Sequence, residues 1–119
     1  MNELELFYIT IGSDAETVIE RFCGNTEMTR RFILKFAEDD SFENLTAALE
    51  ENETENAFRA AHTLKGICLN LGFDKLIEKA SFVTELLRSG DIDGAKKIFP
   101  GLKAEYDRVF DAVKTLLND

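Results

Sequence analysis

Residues 60–73 read AAHTLKGICLNLGF, and two of them sit oddly in a stretch otherwise suited to a helix. His62 is the only histidine of the chain, and Gly66 follows it by one turn, where a helix interior has no use for glycine. At ~100° per residue, Ala57, Ala60, Ala61, Leu64, Ile67, Cys68 and Leu71 gather within about 60° of the direction of Leu64, which marks the face turned to a core. His62 falls at about 160° from that direction, on the outward side, together with Phe58, Arg59, Gly66 and Leu69, with Lys65 at the flank. A glycine inside a helix costs ~1 kcal/mol relative to alanine. On an outward face, close packing against another helix does not explain that loss. Removing a Cβ one turn beyond His62 clears the space above the imidazole for a bulky reactant or a partner's backbone.

A lone histidine is more often a structural or merely exposed residue than a reactive one, and an isolated lysine is more often a solvated charge. The set weighs more than its members. An accessible imidazole offers a nucleophilic nitrogen, Lys65 at i+3 offers a counter-charge, and Gly66 offers access for an in-line donor, which together meet the needs of a transient phosphoryl acceptor. Phe58 and Leu69 are apolar contact area for a small docking surface, with Arg59 beside them; Phe58 also suits a place at the edge of a core.

Outward from this stretch the pattern stays helical. A segment with Leu4, Phe7, Tyr8 and Ile11 stops at Gly12, and Ser13 with Glu16 has the spacing of a capping box for a second segment that ends at Gly24. Further helices are expected over 26–39 and 41–50, with Asp39 and Asp40 at the break between them. Asn52 with Glu55 reads as the cap of the helix that carries His62 and stops at Gly72; another helix runs from Asp74 to Arg88 and ends at Gly90. The last runs over 93–117, and Pro100-Gly101 should kink or briefly break it. Phe82 and Leu86 point away from the apolar stripe of their helix, where the amino-terminal segments could cover them. With one proline, little strand-like alternation and short connections, the expected fold is all-α: an up-and-down four-helix bundle over 25–119, with short additional helices at 1–24 packed on it.

Composition narrows the function. A chain of 119 residues suits one domain. Its formal net charge of −9 would repel a phosphate backbone, so nucleic acid is not an expected partner. No apolar run reaches the ~20 residues that span a bilayer, and the acidic start MNELELFYITIG lacks a signal peptide's positive end, so no membrane is expected and the location is read as cytoplasmic. Cys23 and Cys68 fall in apolar helical patterns and read as small hydrophobes in a reducing compartment. No P-loop or Gly-rich nucleotide box is present, so the chain has no evident means to phosphorylate itself and is not read as a kinase.

Ala61-His62-Thr63-Leu64-Lys65-Gly66, followed by Leu71-Gly72, resembles the H-x-L-K-G motif and following L-G of the histidine-containing phosphotransfer (HPt) family of two-component phosphorelays. The likeness extends over the helix order from about Asn25 to Leu117, including Phe32 and Phe36 and the run Leu86-Leu87-Arg88-x-Gly90. It implies that Nε2 of His62 accepts a phosphoryl group from a receiver-domain aspartyl phosphate and relays it to another receiver. Lys65 and Gly66 would then fill the family's electrostatic and steric roles. The implied partners are response-regulator receiver domains and a hybrid histidine kinase. No cofactor is implied on this chain, a magnesium ion being expected only on the receiver, and the chain is expected to be a monomer. Some members place a glutamine on the next helix, hydrogen-bonded to the imidazole, and a gapless carry-over puts Thr84 there. Three other readings stand beside this one: a helical adaptor without phosphorylation, a carboxylate metal-bundle enzyme, which the single outward histidine fits poorly, and the phosphoacceptor domain of a chemotaxis-type kinase. The start at Met1 favours an independent protein over the last.

Overall fold

The structure is a computed structural model that describes residues 2–118. Met1 and Asp119, the outer limits given above to the amino-terminal extension and the bundle, lie outside the described residues. The described residues form seven helices and no strand: α1 (Glu3–Ile11), α2 (Ala15–Arg21), α3 (Thr26–Phe36), α4 (Ser41–Glu50), α5 (Thr54–Leu71), α6 (Asp74–Arg88) and α7 (Ile92–Leu117). The molecule is an all-α bundle with short helices at its amino end.

Each long helix packs along its chain neighbour: α4 on α5, α5 on α6, α6 on α7. Their short connections make these pairs antiparallel. The circuit closes where Phe42 of α4 stacks on Tyr106 of α7, ring centroids 3.9 Å apart, while α3 leans on both α5 and α7. Leu45, Leu64, Val83, Leu102 and Val113 fill the interior, one helix after another contributing its apolar stripe.

The amino-terminal helices bury Leu4, Phe7, Tyr8, Ile11 and Val18 in the core, and polar contacts fasten the helix ends. α1 lies on α7, and Arg108 of α7 donates to the carbonyls of Thr10 (2.8 Å) and Ile11 (3.0 Å), closing the carboxyl end of a helix with no basic residue of its own there. Arg21 does the same for α5 through the carbonyls of Leu69 and Asn70. Arg30 does it for α7 through the carbonyl of Leu116 (2.9 Å). The turn between α5 and α6 is held most closely. The buried Tyr8 hydroxyl donates to the Leu71 carbonyl (2.7 Å), Ser13 Oγ accepts from the Asp74 amide (3.1 Å), and Phe73 sits among Phe7, Tyr8 and Phe36.

Several local expectations are corrected by these contacts. Asp14, not Ser13, caps α2, accepting from the Glu16 amide (3.1 Å), because Ser13 is committed to α6. Asn52 does not cap α5: it stands in the left-handed region at φ 56° after α4, and its side-chain oxygen meets the Lys96 ammonium instead. The third helix stops at Phe36 rather than Asp39, whose carboxylate accepts from the Ser41 amide (2.9 Å) at the start of α4. The brief break expected at Pro100 does not occur. The helix is continuous around it, and because Pro100 is exposed, solvent can satisfy the carbonyl that the missing N–H leaves free. Cys23 is exposed in the turn after α2 at φ 56°, outside any helical stripe, whereas Cys68 is buried and its thiol is pushed up to about 12, desolvation being the main cause. Phe82 is uncovered, at 61% exposure; Leu86 is partly buried against the core. Among the described residues no helix is long and apolar enough to cross a membrane.

Candidate functional site

The site stands on the outward face of α5. Ala57, Ala60, Ala61, Leu64, Cys68 and Leu71 are buried, so the helix has no rotational freedom, and His62 is fixed on the solvent side. Ile67, assigned above to the core face, is only partly buried. Thr63, exposed next to His62, donates its hydroxyl to the Arg59 carbonyl (2.9 Å) within the helix.

Gly66 is exposed, and a Cβ built on it meets nothing within 4 Å. The space above it is therefore open, and no neighbouring helix requires a glycine there. Lys65 is half-buried, and among the described residues no carboxylate makes a salt bridge with it. Arg59 is different. Its guanidinium is held by Glu55 one turn earlier at 2.6 Å, a pair exposed enough to be worth little but enough to occupy the charge. Leu69 is 47% exposed on the same face.

Among the described residues neither ring nitrogen of His62 has a hydrogen-bond partner. Thr84 is fully buried at the level of His62 on α6, and its hydroxyl donates to the Ala80 carbonyl (2.7 Å). It therefore does not orient the ring. What touches the imidazole is Phe58, one turn earlier on α5: the rings are nearly parallel, 18° apart in plane, with centroids separated by 5.8 Å. Phe58 is itself partly buried against the core, and the Arg88 guanidinium of α6 lies 5.0 Å from its centroid. Glu85 holds Arg88 in turn, at 3.3 Å.

Arg88 was not foreseen as part of this group. A signal existed, since residues 58 and 88 are equidistant from residue 73, and an antiparallel pair hinged at Gly72-Phe73 brings such positions level. The structure thus gathers His62, Lys65, Gly66, Phe58 and Arg88 on one surface and leaves Thr84 in the interior. Among the described residues no group of three or more His, Cys, Asp or Glu side chains is placed to hold a metal ion.

A family model for the Hpt domain matches residues 27–112, well over half of the chain. The chain belongs to the Hpt family. As an Hpt domain it is a phosphotransfer module of two-component phosphorelays, a class that carries phosphoryl groups and is distinct from the kinases themselves. The matched span takes in α4, α5 and α6 whole and begins within α3, so α1 and α2 precede it. No curated protein and no solved structure matches the chain.

Proposed function

We propose that His62 is the phosphoacceptor of this Hpt domain, taking a phosphoryl group at Nε2 from the aspartyl phosphate of one receiver domain and giving it to another. The observation that carries the reading is the open ground over Gly66, next to an outward imidazole that none of the described residues engages through hydrogen bonds. In the step itself, the Nε2 lone pair forms the N–P bond while the aspartyl P–O bond breaks and its electron pair leaves on the carboxylate. The ring enters as the neutral tautomer with its proton on Nδ1 and leaves as a cation shared between both nitrogens. Lys65, three residues on and without a salt bridge among the described residues, meets the charge on the phosphoryl oxygens. The receiver brings the metal ion and the remaining catalytic groups. Arg59 and Leu69 border the contact surface, which suits a small transient interface with a receiver, whether on a hybrid kinase or on a response regulator.

Incubation with a panel of phosphorylated receiver domains tests this. The chain should gain the mass of one phosphoryl group that is lost in acid and kept in base, as a phosphoramidate is, and His62→Gln should gain none. Lys65→Ala should transfer several-fold more slowly with an unchanged melt, since it removes a charge from a solvated face. Equal labelling of wild type and His62→Gln, or label that survives acid, sinks the assignment.

A further inference from the structure

We infer that Phe58, pinned from the neighbouring helix by Arg88, is the positioning residue of the His62 imidazole. The inference rests on the phosphoacceptor reading above and supplies what that reading lacks, an account of how an exposed ring is held ready. The ring has no hydrogen bond from the described residues, and Thr84, level with it on α6, spends its hydroxyl on Ala80. A free imidazole rotates about two side-chain bonds, and only some of those orientations point Nε2 at an in-line donor.

The stack restricts that rotation. Phe58 lies with its ring plane 18° from the imidazole plane, at a centroid distance of 5.8 Å. Phe58 does not move freely, because one part of it packs on the core and the Arg88 guanidinium lies 5.0 Å from its ring centre. Arg88 is tethered by Glu85 at 3.3 Å. The order of support runs from Glu85 through Arg88 and Phe58 to His62, so the ring of α5 is oriented from α6. An aromatic face also favours a cationic ring over a neutral one, which matches the charge the imidazole acquires as the N–P bond forms.

This assigns Phe58 a role different from contact with the receiver, and the two separate in kinetics. Three variants are compared with wild type: Phe58→Leu keeps apolar bulk without an aromatic face, Phe58→Tyr keeps the face, and Arg88→Gln removes the pin at an exposed site where folding is not at risk. The His62 ring protons are followed by NMR with no phosphoryl donor present, and transfer rates are taken across receiver concentrations. In wild type the stacked ring should move the His62 ring protons upfield. Phe58→Leu should abolish that displacement and slow transfer at saturating receiver about two- to fivefold, the size expected of one exposed stacking contact. The half-saturating receiver concentration should stay unchanged. Phe58→Tyr should restore both signals, and Arg88→Gln should weaken both. If Phe58→Leu only raises the half-saturating concentration, Phe58 is a contact residue and the inference fails. It fails equally if transfer is the same in all four proteins. A wild-type chain that takes no phosphoryl group at all while its ring shifts still follow Phe58 overturns the phosphoacceptor reading itself, and leaves the stack as a purely structural contact.

Discussion

Substitution of Gly72 by alanine should be among the costliest single-methyl changes in the protein, and its cost should be traceable to one residue of α2. Gly72 ends α5 at φ 68°, a left-handed conformation that costs an ordinary residue about 1–2 kcal/mol. Its added Cβ would also overlap Val18 Cγ2, which is buried and has little room to withdraw. Forcing a methyl into packed surroundings adds roughly 1–3 kcal/mol. The sum, about 2–5 kcal/mol, corresponds to a fall in melting temperature on the order of 8–20 °C for a domain of this size. Gly90 is the internal standard. It too is left-handed, at φ 83°, but a Cβ there meets nothing within 4 Å, so Gly90→Ala should cost only the conformational part, about 1–2 kcal/mol. Urea denaturation of both variants, and of Gly72→Ala combined with Val18→Ala, separates the contributions. The double variant should show a coupling of at least ~1 kcal/mol, because Val18→Ala removes the obstructing methyl. If Gly72→Ala and Gly90→Ala cost the same, or if the cycle shows no coupling, then α2 does not sit against the turn as described and the reasoning fails.

Gly66→Ala should raise stability by up to ~1 kcal/mol, since the open site adds helix propensity without a clash, whereas Gly66→Gln should melt normally yet accept phosphoryl groups much more slowly; an equal transfer rate in a parallel assay would remove the access argument. A thiol reagent should label only Cys23 in the native protein and both cysteines after unfolding, because Cys68 is buried and its thiol is pushed up to about 12; two labels on the folded chain would contradict the core. Glu105 is held below its ordinary value of 4.5, chiefly by the hydrogen bonds from Arg108. A depressed folded pKa gives stability that is present above the ordinary value and lost as pH falls through the folded one. Glu105→Gln should therefore be less stable than wild type at neutral pH, and the gap should close as pH is lowered from 4.5 downward; a gap that is independent of pH would show that the pairing is not ionic.

The outward direction of His62 and the limits of α5 near Leu71 were readable in the sequence because both follow from the 3.6-residue period and a terminal glycine, which are local signals. The polar fastenings were not. Ser13 has the spacing of a cap for its own helix, yet it serves α6, and Arg21, Arg30 and Arg108 close helices that lie far from them in the chain. No periodicity encodes such partners. Asn52 misled for a related reason: asparagine tolerates both the extended conformation of a cap and the left-handed one that ends a helix, and the structure uses the second. Pro100 reads as a break only if its carbonyl partner must be satisfied by protein, and its exposure removes that need. At the site, the motif pointed to His62, Lys65 and Gly66, but the column from Glu85 to Phe58 needed the pairing of two helices before it could be seen.

The bare surroundings of His62 bear on time as well as access. No side chain among the described residues is hydrogen-bonded to its nitrogens and a Cβ on Gly66 would meet nothing within 4 Å, so a phosphoryl group placed there would lie open to the solvent beside Lys65. Among the described residues nothing would shield the adduct and nothing would hasten its hydrolysis. The adduct would last only as long as the intrinsic hydrolysis of an N–P bond and the supply of recipients allow. The fraction of carrier charged at any moment would then report the present balance between donors and recipients, and any memory of a past stimulus would have to reside in other molecules.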